Sequence, residues 1–383
     1  MHKSFYLVLM LALSAGAYAQ SGRKITEPAK SPPVESSDHD YSESKPQPKR
    51  TFYIPKPKDA IIAAPKSDTP QAPAAVGDDD VIKVATDLVT IPVTVYDRNG
   101  LYVPNLRRND FKIFVDGKEQ EVAYFGNSDK PFTVVLMIDT SPSTAYQIEE
   151  IQDAARAFVD QLQPQDSVMV IEFAGSVHLL TDVTKDRDQI YKALRKTRFG
   201  DGTSLYEAVD FSLRKKLSQV EGRKAIVLFT DGVDTTSRRA TYDSTLAEAE
   251  ESEAPVFPIY YNTYFDGRRQ ATMGIPDDVI GPVILGGGQI PGSSAADYAV
   301  GKKYLDDLAS YTGGRVYRPE STPGGLTTAF EGIAQELRSQ YSIGFIPKDE
   351  GKPGERKTIK VRVNRPELSI RARDSYIVGS QAK

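Results

Sequence analysis

The chain has no cysteine and only three histidines among 383 residues. The first absence excludes a thiol nucleophile, thiolate metal sites, disulfides and a lipidated N-terminal cysteine. His2 and His39 lie in the N-terminal stretch, so histidine-dependent chemistry rests on His178 alone. An excess of one charge sign is also missing: 48 Lys and Arg against 52 Asp and Glu give a net charge of −4, and nothing basic points to nucleic acid. Long apolar runs are lacking too. No segment approaches the roughly 20 consecutive apolar residues that a membrane-crossing helix needs.

What the N-terminus does have is Lys3, an apolar run over residues 5–13, then Ala17-Tyr18-Ala19. That is the layout of a secretory signal peptide (1–19), so the mature chain is expected to start at Gln20 and to be exported, to the periplasm or beyond. Residues 20–80 read as a disordered, Pro-rich linker, since 10 of the 25 prolines fall between 21 and 80 among Ser, Lys, Asp and Glu.

From Val81 the pattern turns to period two. Val89, Ile91, Val93 and Val95 alternate with Thr90, Pro92, Thr94 and Tyr96, as a strand with one buried face requires, and Pro92 suggests an edge position or a bulge. Asn99-Gly100 and Asp116-Gly117 supply tight turns, the second between strands at 111–115 and 121–125. The same grammar returns at 340–346, 358–363 and 369–378. Neither set has enough strands for a core alone, so residues 81–130 and 341–383 are expected to combine into one small β-sandwich around the middle of the chain.

That middle, 131–340, alternates buried strands with amphipathic helices. The strands are continuous apolar runs at 133–138, 167–173, 225–229 and 256–261, with a short edge candidate at 176–180. Such a pattern predicts an α/β fold with a doubly wound, mostly parallel sheet, inserted in or flanked by the β-sandwich. Pro258 should cost a ladder bond or cause a bulge.

In such a sheet the loops at the carboxyl ends of the strands open onto one rim. The first strand leaves the core on Asp139-Thr140-Ser141-Pro142-Ser143, the third long run ends in Thr230-Asp231-Gly232, and between them lies Gly200-Asp201-Gly202-Thr203-Ser204. Two carboxylates and three hydroxyls form an all-oxygen donor set, which suits a hard divalent cation and favours Mg²⁺ or Mn²⁺ over Ca²⁺. Each residue also has a plain structural reading: Asp139 as a strand end, Ser143 as a helix cap, Asp231-Gly232 as a turn, and Ser204 with Glu207 as a capping box that starts a helix without any metal. Asp234 reads as a loop residue.

The ordered set Asp139-x-Ser141-x-Ser143, Thr203 and Asp231 resembles the metal-ion-dependent adhesion site (MIDAS) of von Willebrand factor type A (VWA) domains, and the layout with leader, linker and flanking strands is similar to exported bacterial VWFA-related proteins. The resemblance implies a strand order 3-2-1-4-5-6. It further implies Ser141, Ser143 and Thr203 on the metal, with Asp139 and Asp231 bound directly or through water. The family binds protein ligands, so the implied partner is a protein offering an Asp or Glu carboxylate as the sixth ligand. The departure is the long segment from 262 to about 300, before a helix expected at Lys302. It should border the rim, with Tyr264, Phe265, Arg268 and Arg269 as candidate partner-binding residues.

Two other readings stay open: a hydrolytic enzyme using Asp139, and a purely structural envelope protein. For the first, a phosphatase of the haloacid-dehalogenase type needs a second Asp where Ser141 stands, and no Gly-x-Ser-x-Gly elbow or Walker A sequence occurs. The expectation is a binding module that is not an enzyme, in adhesion or scaffolding.

Overall fold

A computed structural model describes residues 41–45, 88–126, 130–143, 148–261, 294–320, 324–349 and 351–379. In the middle of the chain the strands are β6 (Phe132–Asp139), β7 (Ser167–Phe173), β8 (Val177–Thr184), β9 (Arg223–Thr230) and β10 (Val256–Tyr260). They form one sheet in the order β10-β9-β6-β7-β8, parallel except for the antiparallel edge strand β8.

Alternate residues of the apolar runs feed two separate cores, which is why the runs are continuous. Val134, Leu136 and Ile138 face a cluster completed by α1 (Ile148–Gln161), α2 (Arg187–Leu194) and α6 (Gly325–Ser339). Val135 and Met137 face the opposite cluster, built with α3 (Leu205–Asp210), α4 (Tyr242–Glu251) and α5 (Ala295–Thr312).

Strands from before and after this unit pair with one another. One sheet runs β13-β2-β11-β5, from Ser369–Ala372, Val89–Tyr96, Tyr341–Phe345 and Tyr124–Gly126. The other runs β1-β12-β3-β4, from Ser42–Glu43, Arg356–Val363, Phe111–Val115 and Lys118–Gln120, with β14 (Ser375–Ile377) also paired to β12. The buried faces of both sheets contribute to a single cluster that includes Ile91, Val93, Ile113, Ile343, Val361 and Tyr376.

Several sequence expectations are corrected. Part of the segment read as linker is structured, since Ser42–Glu43 pairs with Val363 and Arg362. The hairpin's return strand starts at Lys118, not 121, because Asp116 and Gly117 both adopt positive φ and close a two-residue turn. Tyr124–Gly126 belongs to the other sheet. Helix α5 begins at Ala295, seven residues earlier than expected, where Ser294 and Asp297 form a capping box. Edge strand β8 extends to Thr184.

A sixth strand, implied by the family resemblance, is reduced to Tyr317, bridged in parallel to Ile259. Pro258 costs β10 nothing: it stays in register with Leu228, and its carbonyl accepts from Tyr317 N–H on the outer side, so the missing N–H also falls there.

Ion pairs between buried glutamates and half-buried arginines join the flanking strands to the central unit. On α6, Glu336, whose side chain is 1% exposed, takes Arg371 of β13 at 2.7 Å, Arg315 at 3.0 Å and the Tyr317 hydroxyl at 2.9 Å. On α4, Glu250 pairs with Arg356 and accepts from Ser375. Arg371→Ala should therefore lower unfolding free energy by about 1–3 kcal/mol in urea titration, less than the full cost of orphaning a buried charge because Arg315 remains with Glu336.

Candidate metal centre

Strands β6 and β9 are parallel neighbours with Ile138 opposite Phe229, so they finish side by side. Asp139 ends one; Thr230 ends the other and Asp231 follows it. Asp139 and Asp231 are 0% and 2% exposed.

A chain of short hydrogen bonds links the two carboxylates to the first loop. Asp139 Oδ1 accepts from the Ser141 backbone N–H at 2.9 Å and Oδ2 from the Thr230 hydroxyl at 2.6 Å. The Ser143 hydroxyl donates to Asp231 Oδ2 at 3.0 Å, and the Ser141 and Ser143 hydroxyl oxygens are 3.0 Å apart. Four of the five expected residues are thus joined. Burial, and after it the neighbouring charge of Asp231, push the Asp139 carboxyl up to about 7.

Thr203, 6% exposed, arrives on the neighbouring loop. That loop is tied down on both sides: Gly200 N–H donates to the Thr140 carbonyl at 3.2 Å, and the Thr203 carbonyl accepts from Thr235 and Thr236 N–H at 2.8 and 3.0 Å. Thr203 N–H donates to Thr235 Oγ1 at 2.8 Å. Its own hydroxyl takes no hydrogen bond among the described residues. The loop lies so close over the end of β7 that a Cβ on Gly175 would sit 2.3 Å from the Asp201 carbonyl oxygen.

The capping box expected at Ser204 and Glu207 does not form. The Ser204 hydroxyl donates to the Gly175 carbonyl, and Glu207 accepts instead from Arg238 and Arg239 N–H, whose bonds, the first above all, hold its carboxyl below the usual range. The first N–H groups of α3 go to Asp234 and Ser237, at 3.1 Å each. Asp234 thus acts as a cap supplied by another loop. Helix α3 consequently does not compete for Thr203.

Sequence reasoning missed the supporting residues Thr230, Thr235, Ser237 and Gly301. The hydroxyl-rich run Thr235-Thr236-Ser237 was the available signal. Gly301 had none: it matters because α5 packs its backbone on Gly232, where a Cβ would lie 2.7 Å from the Gly301 carbonyl oxygen. Tyr264, Phe265, Arg268 and Arg269 lie outside the described residues. His178 is on edge strand β8 with its side chain 61% exposed, 3.6 Å from Glu172.

Among the described residues no three His, Cys, Asp or Glu side chains gather as a metal site. Any cation here must rely on two carboxylates with hydroxyls, and the oxygen-only set found around Asp139 and Asp231 has that chemistry.

Residues 134–233 match the family model for the von Willebrand factor type A domain, a stretch that starts in β6 and ends just past Asp231. The chain contains a von Willebrand factor type A domain. VWA domains are a family of protein-binding modules, some of which carry MIDAS sites. The UPF0353 protein of Mycobacterium ulcerans is 34% identical over 116 residues, covering 27% of this chain and 35% of that protein. The chain thus spans about a third of the length of the curated relatives it matches. Solved structures that match part of the chain include the vWF domain of the pilus tip protein Mfa5 from Porphyromonas gingivalis, 15% identical with a TM-score of 0.40, covering 54% of this chain and 95% of that one. Another is proximal thread matrix protein 1 of the mussel byssus with a zinc-occupied MIDAS motif, 14% identical with a TM-score of 0.39, covering 57% and 48%.

The geometry of the VWA site has a consequence for stability. Between the ordinary Asp value of 3.8 and about 7 the folded protein keeps a proton on Asp139 that the unfolded chain has released. Stability of the metal-free protein should therefore fall as pH rises through that interval. Asp139→Asn should flatten this part of the profile, measured as urea midpoints in EDTA across pH 4.5 to about 7.5.

Proposed function

We propose that this protein is an exported binding module whose VWA domain holds one Mg²⁺ or Mn²⁺ and uses it to capture an Asp or Glu carboxylate of a protein partner. The observation that carries the reading is the hydrogen-bonded convergence of Asp139, Ser141, Ser143 and Asp231 at the ends of two parallel strands, with the Thr203 loop fastened alongside.

Asp139 and Asp231 would supply the negative charge, and Ser141, Ser143 and Thr203 neutral oxygens. Two carboxylates can balance a divalent charge only where both act at close range. Asp139 is already engaged by Ser141 and Thr230, so it serves best as a charge held behind the hydroxyls. A bound cation would contribute Lewis acidity toward an incoming carboxylate, and the hydroxyls would then turn their lone pairs toward it. The same engagement makes Asp139, at 0% exposure, poorly placed as a nucleophile, which favours binding over hydrolysis. Residues 131–340 would form the VWA domain, with 81–130 and 341–383 as a joint β unit. The leader read in residues 1–19 would direct the product to the periplasm or outside the cell.

Isothermal titration of the full chain should give one Mg²⁺ per molecule. Asp139→Ala and Asp231→Ala should each weaken that binding at least tenfold, about 1.4 kcal/mol, with the fold retained by circular dichroism. Absence of Mg²⁺ and Mn²⁺ binding in the wild type, or equal affinity in both variants, defeats the reading.

A further inference from the structure

The two loops that bring Thr203 and Asp231 to the rim also carry five exposed cations. Arg195, Lys196 and Arg198 precede Thr203, and Arg238 and Arg239 follow Asp231. All five are exposed, and none belongs to an ion pair among the described residues. This occurs in a chain whose net charge is −4, so both loops run against the overall balance.

The backbone under these side chains is fixed rather than loose. Arg195 and Lys196 N–H groups donate to the Tyr191 and Ala193 carbonyls, Arg198 N–H to Glu172 at 2.8 Å, and Arg238 and Arg239 N–H to Glu207 at 2.9 and 3.3 Å. Within the same stretch Phe199 is 49% exposed, a large aromatic next to the Gly200 anchor. Nearby acids offset the cations only in part: Asp201 is exposed, as are Glu149 and Asp153 on α1, whose Gln152 donates to the Thr197 hydroxyl at 2.7 Å, while Asp234 and Glu207 are spent on α3 and the Arg238-Arg239 backbone.

We propose that this rim is a receptor for an acidic peptide segment, in which one carboxylate reaches the cation and neighbouring Asp or Glu side chains pair with Arg195, Lys196, Arg198, Arg238 and Arg239. The inference rests on the metal-site reading for the first carboxylate only. The loop backbones are already ordered, so binding has only the side chains left to order, arginine forks suit carboxylates, and Phe199 offers an apolar contact to the intervening peptide. A protein segment is favoured over other polyanions because a single carboxylate must enter the coordination position while the rest lie beside it, and VWA domains bind proteins.

The test is fluorescence anisotropy on the full chain with three fluorescein-labelled nonapeptides: one with five Glu, one with a single Glu among Gly and Ser, and one with Gln in place of every Glu. In Mg²⁺ the five-Glu peptide should bind at least tenfold more tightly than the single-Glu peptide, and the Gln peptide should not bind. The triple variant R195Q/K196Q/R198Q should erase that tenfold advantage while leaving Mg²⁺ titration unchanged. A control with three charges removed from the flanking strands and their approach, R107Q/R108Q/K112Q, should retain it.

Equal affinity of the two Glu peptides, or equal loss in rim and control variants, overturns the receptor proposal even where Mg²⁺ binds. Binding that persists in EDTA but is lost in the rim variant keeps the acidic-peptide surface and defeats the metal reading. Tighter, metal-independent binding of heparin overturns the peptide assignment in favour of a polysaccharide.

Discussion

Because β6 and β9 run parallel and in register, their ends deliver two carboxylates to adjacent buried positions, and the surroundings are organised to tolerate that. Like charges at close range in a poorly solvated place repel strongly, so hydrogen-bond donors must be supplied beside them, from the end of β9 and from the loop after β6. Thr230, Ser141 and Ser143 do this directly. The loops bearing these donors must then be held, which the Gly200–Thr140 and Thr203–Thr235 bonds accomplish. Much of the polar structure on this edge follows from one strand pairing.

The features most legible in the sequence were those set by burial pattern. Runs such as 133–138 and 225–229 are apolar on both faces because the sheet has a core on each side, and that alone fixes a covered parallel sheet. The alternation of Val89, Ile91, Val93 and Val95 likewise marked the flank, and Asp139-x-Ser141-x-Ser143 could be read because its spacing is local. What could not be read was chemistry settled by distant partners. Ser204 and Glu207 have the form of a capping box, yet Gly175, Thr236 and two arginine N–H groups outcompete the local pairing. Pro258 reads as a fault until Tyr317 shows which side of the strand it faces. Ser42–Glu43 is too short to carry a pattern and exists only because β12 offers an edge.

The junction between the central unit and the flanking strands is polar as well as apolar. Glu336 and Glu250 are both buried, and each finds an arginine on a C-terminal strand. Fully buried Arg373 adds a bond to the Thr90 carbonyl at 2.9 Å. Charges of this kind contribute little net stability, but they penalise any docking in which a partner is displaced. They therefore fix the angle at which flank and centre meet more firmly than apolar contact alone would.

The interleaving of the flank bears on the order of events as the chain is made. β2 lies between β11 and β13, so a strand synthesised early waits for partners that emerge near the end. The central sheet, whose neighbours are closer in sequence, can collapse first, whereas the flank closes only once the last strands are available. An apolar strand edge left waiting for that interval is the species most exposed to mispairing.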